Sequence, residues 1–156
     1  MLFPDDEKWM RMAIAEAELA AKEGEVPVGA VMVRNGEAIA STHNRCERDH
    51  NATAHAEMLA IGEASAKLQS WRLEDCTLYV TLEPCPMCTG AIINARVGRV
   101  VFAAKDARAG AMGSLVDLPA YPLQARPDCT VGVMQEEAQA LMRRFFGEMR
   151  RKNNER

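Results

Sequence analysis

Apolar and polar positions along the chain change period several times, and each change marks an element. From Asp5 to Glu23, Trp9, Ala13, Ala17 and Ala20 fall on one stripe with Met10, Ile14 and Ala21 beside it, the spacing of an amphipathic helix. Asp5 stands at its N-cap, Asp6 and Glu7 suit its positive end, and Gly24 supplies the stop. Val28 to Arg34 reads as a buried strand, Asn35-Gly36 as a tight hairpin turn, and Glu37 to Thr42 as the returning strand. His43 to Thr53 is polar and irregular, which predicts a loop. Helical spacing returns from Ala54 to Leu68, with Thr53 as N-cap.

Further on, Thr77–Leu82, Arg99–Ala104 and Cys129–Met134 read as strands. Between the first two lies a helix from Cys85 or Pro86 to Ala95, where proline suits the first turn. A glycine-rich loop runs from Asp106 through Gly110 and Gly113 to Pro122, and a last helix from Gln135 to Arg150. Strands alternating with helices after an initial hairpin predict an α/β fold of three layers, α/β/α, around a central mixed five-stranded sheet.

At 156 residues, with no break in composition, the expectation is one domain over 1–156 with a basic C-terminal helix over about 135–152. Met1 to Lys8 lacks the basic start and apolar run of a secretory signal. The longest apolar runs fall short of the roughly 20 residues that cross a bilayer, so no membrane is expected. Five cysteines, an odd number with two in a Cys-x-x-Cys, argue against a disulfide framework and for a reducing cytoplasm. The net charge of −3 hides an asymmetry. From Leu141 onward, Arg143, Arg144, Arg150, Arg151, Lys152 and Arg156 face only Glu148 and Glu155, a local +4 that leaves −7 elsewhere. A basic end on an acidic body suits a polyanion contact or a solvated helix end equally.

The chemistry lies in His55-Ala56-Glu57 and Pro84-Cys85-Pro86-Met87-Cys88. One imidazole and two thiols are three good zinc ligands, one short of a closed tetrahedron, and a three-ligand site leaves room for a reactive water. Cys85 and Cys88, three apart on a first helical turn, share a face whose dipole favours thiolate. His55 and Glu57, two apart, point about 200° apart around a regular helix. Both serve one centre only if the metal lies near the helix tip, so two helix N-termini must converge on it. Other uses of these residues remain open. A redox pair at Cys85 and Cys88 leaves His55 and Glu57 idle. A structural zinc needs a fourth ligand from Cys46, Cys76, Cys129, His43 or His50, each of which also reads as an ordinary core or loop residue.

The combination matches the zinc-deaminase signature. The chain resembles the bacterial tRNA-specific adenosine deaminases, of the cytidine deaminase-like superfamily, from Trp9 to Phe145-Phe146. The stretches that carry the likeness are Glu25-Val26-Pro27-Val28-Gly29-Ala30-Val31, His43-Asn44-Arg45, Thr53-Ala54-His55-Ala56-Glu57, Thr77 to Cys85, Arg99-Val100-Val101-Phe102, Asp106-Ala107 and Gly110 to Leu115. The resemblance implies one Zn²⁺ per chain on His55, Cys85 and Cys88, with Glu57 as the catalytic proton shuttle. It implies Asn44 bonding the nucleoside, the Ala56 N–H holding the base edge, and Val28 lining the pocket. It implies Asp106 touching RNA beside the target nucleotide, and Phe145 facing a tRNA anticodon loop; Val28 and Phe145 also read as plain core. A homodimer is implied as well. The chain departs from the family at Asn51-Ala52, where Asp-Pro is common, and at Cys46.

The expected reaction is hydrolytic deamination of adenosine to inosine at the wobble position of the anticodon loop. Two rivals stand beside it. A deaminase of free bases or nucleosides keeps the chemistry without a basic RNA-facing surface. A non-catalytic zinc-stabilised RNA-binding module keeps the metal without turnover.

Overall fold

The elements are α1 (Asp6–Lys22), β1 (Gly29–Arg34), β2 (Glu37–His43), α2 (Cys46–Asp49), α3 (Ala56–Leu68), β3 (Cys76–Leu82), α4 (Pro86–Asn94), β4 (Arg99–Ala104), β5 (Asp128–Val131) and α5 (Gln135–Asn154). This is a computed structural model that describes residues 1–155; Arg156, counted above in the basic end, lies outside the described residues. The strands form one sheet in the order β2-β1-β3-β4-β5. β1 is antiparallel to both β2 and β3, whereas β3, β4 and β5 run parallel. The expected mixed five-stranded sheet is present.

Alternation within the strands assigns a core to each face. Ala30, Met32, Leu78, Val80, Val100 and Phe102 point to one side and pack with Ala56, Ala60 and Ala64 of α3 and Ile92 of α4. Val31, Val33, Tyr79, Val101 and Ala103 point to the other and pack with Trp9, Met10, Ala13 and Ile14 of α1 and Ala138 of α5. Two apolar faces covered by two helix pairs make the three layers. The helices approach closely because the contact residues are small. At Gly29 a Cβ would collide with the backbone of Ala13 and Ala17, so glycine is what lets α1 lie flat on β1.

Several boundaries differ from the sequence reading, each for a local reason. The Asn35-Gly36 turn forms with both residues at positive φ, +51° and +75°, the conformation a two-residue hairpin favours. The polar 43–53 stretch is not all loop, since β2 includes His43 and Cys46–Asp49 closes one helical turn. Thr53 does not cap α3; its N–H and hydroxyl both turn back to Asn51 Oδ1, at 2.9 and 2.8 Å. The cap is His55, in extended conformation. α4 begins at Pro86, one of the two starts the sequence offered, with Cys85 as its cap. β5 ends at Val131 rather than Met134, because Gly132 and Met134 take positive φ. α5 continues past Arg150 to Asn154.

Asp6 does more than suit a helix end. It is 2% exposed and its carboxylate receives Arg99 Nη1 and Nη2 at 2.8 and 2.7 Å, the Tyr79 hydroxyl at 2.7 Å and the Phe3 N–H at 2.8 Å. Arg99 also donates to the Met1 carbonyl and lies 4.5 Å from the Phe3 ring, so the N-terminal residues are strapped to the sheet. Burial pushes the Asp6 carboxyl up, but the bonds from Arg99, Phe3 and Tyr79 outweigh it and hold the pKa at about 2. Asp6→Asn should therefore cost about 3 kcal/mol, the scale for breaking a buried pair by removing one partner. Because the folded pKa lies below the ordinary 3.8, the ionic contribution is complete above pH 4 and fades as pH falls towards 2. Urea unfolding of both proteins at pH 7 and pH 2.5 should show a stability gap that narrows on acidification; a gap independent of pH contradicts this.

Candidate metal centre and its cavity

The mixed strand directions bring the site together at one end of the sheet. The start of β1 and the ends of β2, β3 and β4 meet there, beneath the N-termini of α3 and α4. Val28, Asn44, Cys85 and Asp106 each follow or precede a strand at this end. His55 and Cys85 are the caps of the two helices, both in extended conformation with φ of −73°. Two of the metal candidates thus sit at the helix tips, and the third, Cys88, lies in the first turn of α4. This removes the 200° problem: His55 precedes the helix while Glu57 is in its first turn, and both look towards the same opening.

His55 Nδ1 is 3.6 Å from Cys85 Sγ and 3.4 Å from Cys88 Sγ. At zinc bond lengths of about 2.3 Å to sulfur and about 2.0–2.1 Å to nitrogen, the S···N edge of a tetrahedron comes to about 3.6 Å. Both S···N separations therefore fit a shared metal ion of that size. All three ligand atoms lie within 4.8 Å of one another, and no other His, Cys, Asp or Glu among the described residues joins the group. His43 is instead gripped by Glu16 at 2.6 Å and Glu23 at 3.2 Å. Cys76 is buried elsewhere in the α3-side core, and Cys129 is exposed on β5. A closed structural zinc site has no fourth protein ligand here.

Electrostatics single out the same group. The Cys88 thiol beside it, against opposing burial, brings Cys85 down to about 4, helped by His55 and the Cys88 N–H. Cys88 is pushed up by its bond to Cys85, by burial and by Glu57. The bond to Cys85 raises His55. Glu57 is 4% exposed, and burial raises its carboxyl to about 7. A carboxyl whose pKa sits near neutrality can both take and return a proton.

A cavity of about 390 Å³ opens over this centre. Its lining includes Val28, Asn44, His55, Glu57, Cys85, Asp106 and Phe145. Ala56 and Cys88 lie beneath it, fully buried. Asn44 donates through Nδ2 to the Val26 carbonyl at 3.1 Å and accepts the Ala56 N–H through Oδ1 at 2.8 Å. The Ala56 N–H assigned to a base edge is thus engaged by Asn44. Asp106 Oδ1 accepts the N–H groups of Arg108 and Ala109 in a tight turn. Val28 belongs to the α3-side core and also lines the cavity. Phe145 is only 8% exposed and meets Phe146 edge to face at 5.3 Å; Phe146, at 40%, presents the larger face to solvent. A neighbouring groove is lined by Lys105, Arg108 and Arg143 around Val26, Met142 and Phe146.

Two buried carboxylates in the cavity wall had no role in the sequence reading. Glu25 accepts the N–H groups of Glu47 and Arg48 at 3.0 and 2.8 Å, and Glu83 gathers the 106–114 loop. For Glu83 the one available signal was a carboxylate directly after a predicted strand and just before Pro84.

The model of the MafB19-like deaminase family matches residues 4–148. The tRNA-specific adenosine deaminase of Bacillus subtilis (strain 168) is 49% identical over 148 residues, which cover 94% of this chain and 92% of that protein. A solved structure from studies of A-to-I editing by tRNA:A34 deaminases matches with a TM-score of 0.84 and 39% identity, over 86% of this chain and 98% of that one. The guanine deaminase from Bacillus subtilis matches more weakly, with a TM-score of 0.63 and 33% identity over 88% of this chain and 92% of its own.

Proposed function

The chain belongs to the MafB19-like deaminase family, and on that premise we propose that it is a zinc-dependent tRNA adenosine deaminase, converting adenosine to inosine at the wobble position of an anticodon loop. The observation that carries the chemistry is a donor set of one nitrogen and two sulfurs, all within 4.8 Å of one another, with buried Glu57 in the same cavity. The greater likeness to the tRNA enzymes than to the guanine deaminase carries the choice of substrate.

His55, Cys85 and Cys88 would hold the zinc, which when bound supplies Lewis acidity that brings a water pKa from about 15.7 to near 7. Glu57 takes a proton from the attacking water and delivers it to adenine N1. The water oxygen bonds to C6, which becomes tetrahedral. Glu57 then carries the remaining hydroxyl proton to the exocyclic amine; the C6–N bond breaks, C6=O forms and ammonia leaves. Asn44 bonds the nucleoside and Val28 lines the pocket, while the Ala56 N–H holds the base edge once Asn44 releases it. An adenosine splayed from a single-stranded loop enters such a pocket at least cost. Asp106, Phe145 and the basic residues of α5 face the flanking RNA, with Phe146 offering the more exposed ring.

Residues 1–156 act as one deaminase domain in the cytoplasm, as a homodimer. No helix among the described residues is long and apolar enough to cross a membrane. Exposed Leu115, Val116, Tyr121 and Leu123 are apolar surface that a second copy would cover. The test incubates purified protein with an anticodon stem-loop and, separately, with adenosine, cytidine and guanine. Inosine at the wobble position in sequencing reads, with no ammonia from the free compounds, is expected. Ammonia from a free compound alone would transfer the assignment to the small-molecule deaminases.

A further inference from the structure

We propose that Glu83 is a positioning residue that ties the cavity wall carrying Asp106 to the turn carrying Cys85, and so sets how tightly the substrate loop is held. The inference rests on the tRNA-deaminase reading above. Glu83 follows β3, stands two residues before Cys85 and is 2% exposed. Its charge is met by a ring of dipoles. Oε1 accepts the Asp106 N–H at 3.1 Å and the Ser114 hydroxyl; Oε2 accepts the N–H groups of Met112 and Ser114 at 3.0 and 3.1 Å. Four donors on two oxygens compensate a buried carboxylate.

These bonds bracket the first half of the loop, from Asp106 to Ser114. Gly110 presses directly against the carboxylate, since a Cβ there would collide with Glu83 Cδ and Oε2. Most other bonds of the segment are internal, such as Gly110 N–H to Asp106 O at 2.8 Å and Leu115 N–H to Gly110 O at 2.9 Å. The Ala111 N–H reaches outside to Pro84 O at 2.8 Å, again next to Glu83. The loop is thus wrapped on one side chain, and that side chain is fixed to the metal-ligand turn. Asp106 and Ala109, which line the cavity, inherit their placement from it.

Geometry separates this role from catalysis. The Glu83 oxygens are occupied by the loop, so the residue acts through Asp106 and Ala109 rather than on the reacting atoms. Glu83→Gln is a stringent probe, because an amide offers one acceptor and turns N–H groups against N–H donors. Gly110→Ala is the second probe, because its Cβ would meet both the intact Glu83 carboxylate and the Asp106 carbonyl and so displace the loop.

The experiment measures stem-loop kinetics, zinc content and amide hydrogen exchange for wild type and both variants. Each variant should raise KM about tenfold, keep kcat within about threefold and retain one zinc per chain. The amides of Asp106, Met112 and Ser114 should exchange faster, with the α3 and α4 amides unchanged. Unaltered KM, unaltered exchange at those amides, or a collapse of kcat with zinc loss would each overturn the proposal. If Glu83→Gln fails to fold, Gly110→Ala decides alone. If wild type itself leaves the stem-loop unmodified, the functional reading fails, and the exchange comparison still judges Glu83.

Discussion

Glu57→Gln is expected to abolish deamination while the protein still binds one zinc per chain. The side chain is buried in the first turn of α3, with its carboxyl raised to about 7 by burial, so it can hold or give a proton at physiological pH. Glutamine keeps the volume and removes the proton transfer. General acid–base catalysis by one group is worth about 10²–10⁴-fold, and Glu57 is asked to move protons in both addition and elimination, so a loss of at least about 10³-fold in kcat is expected. Metal analysis and stem-loop turnover, measured on one preparation, check this. A variant retaining turnover within tenfold of wild type would remove Glu57 from the reaction; a variant that loses zinc would make it a structural support of the centre. The zinc-stabilised binding module predicts unimpaired RNA binding and no turnover in either protein.

Cys88→Ala should lose metal and activity together. Cys88 lies fully buried under the cavity, with its sulfur 3.4 Å from His55 Nδ1. Removing it leaves one nitrogen and one sulfur, and two ligands rarely retain zinc against dilution. The donors come from the start of α3 and the start of α4, which lie on one face of the sheet, so the ion also crosslinks the two helices. Wild type should therefore melt at higher temperature with zinc than after chelation, and the variant should show no such difference. Zinc remaining near one per chain in purified Cys88→Ala would contradict the ligand set.

The sequence carried the local periodicities well, and with them most of the architecture. The alanine stripe of α1, the Asn35-Gly36 turn and Pro86 at the start of α4 are short-range signals, governed by neighbours three or four residues away. The same holds for Cys85 and Cys88, whose spacing already implies a common side. Boundaries were less legible where a side chain had two local partners to choose from. Thr53 has the chemistry of a helix cap, yet Asn51 captures it, and the helix begins at Ala56 instead. The shift moves His55 from the first helical turn to the cap. In sequence Phe145 reads equally as core and as RNA contact; the packing of α5 buries it with Ala138 and Leu141 and leaves Phe146 the more exposed ring.

Distance along the chain marks the rest. Asp6 meets Arg99 across 93 residues, and Glu83 meets Ser114 across 31. No periodicity encodes such pairs, because which carboxylate is buried depends on where the whole sheet places it. From the chain alone one can read the donor atoms, the proton carrier and the alternation that builds two apolar faces, all properties of residue type and near spacing. Tertiary structure alone decides that antiparallel β1 and parallel β3 and β4 bring their site-bearing ends to one edge, turning separate short motifs into a single cavity with two carboxylates holding its walls.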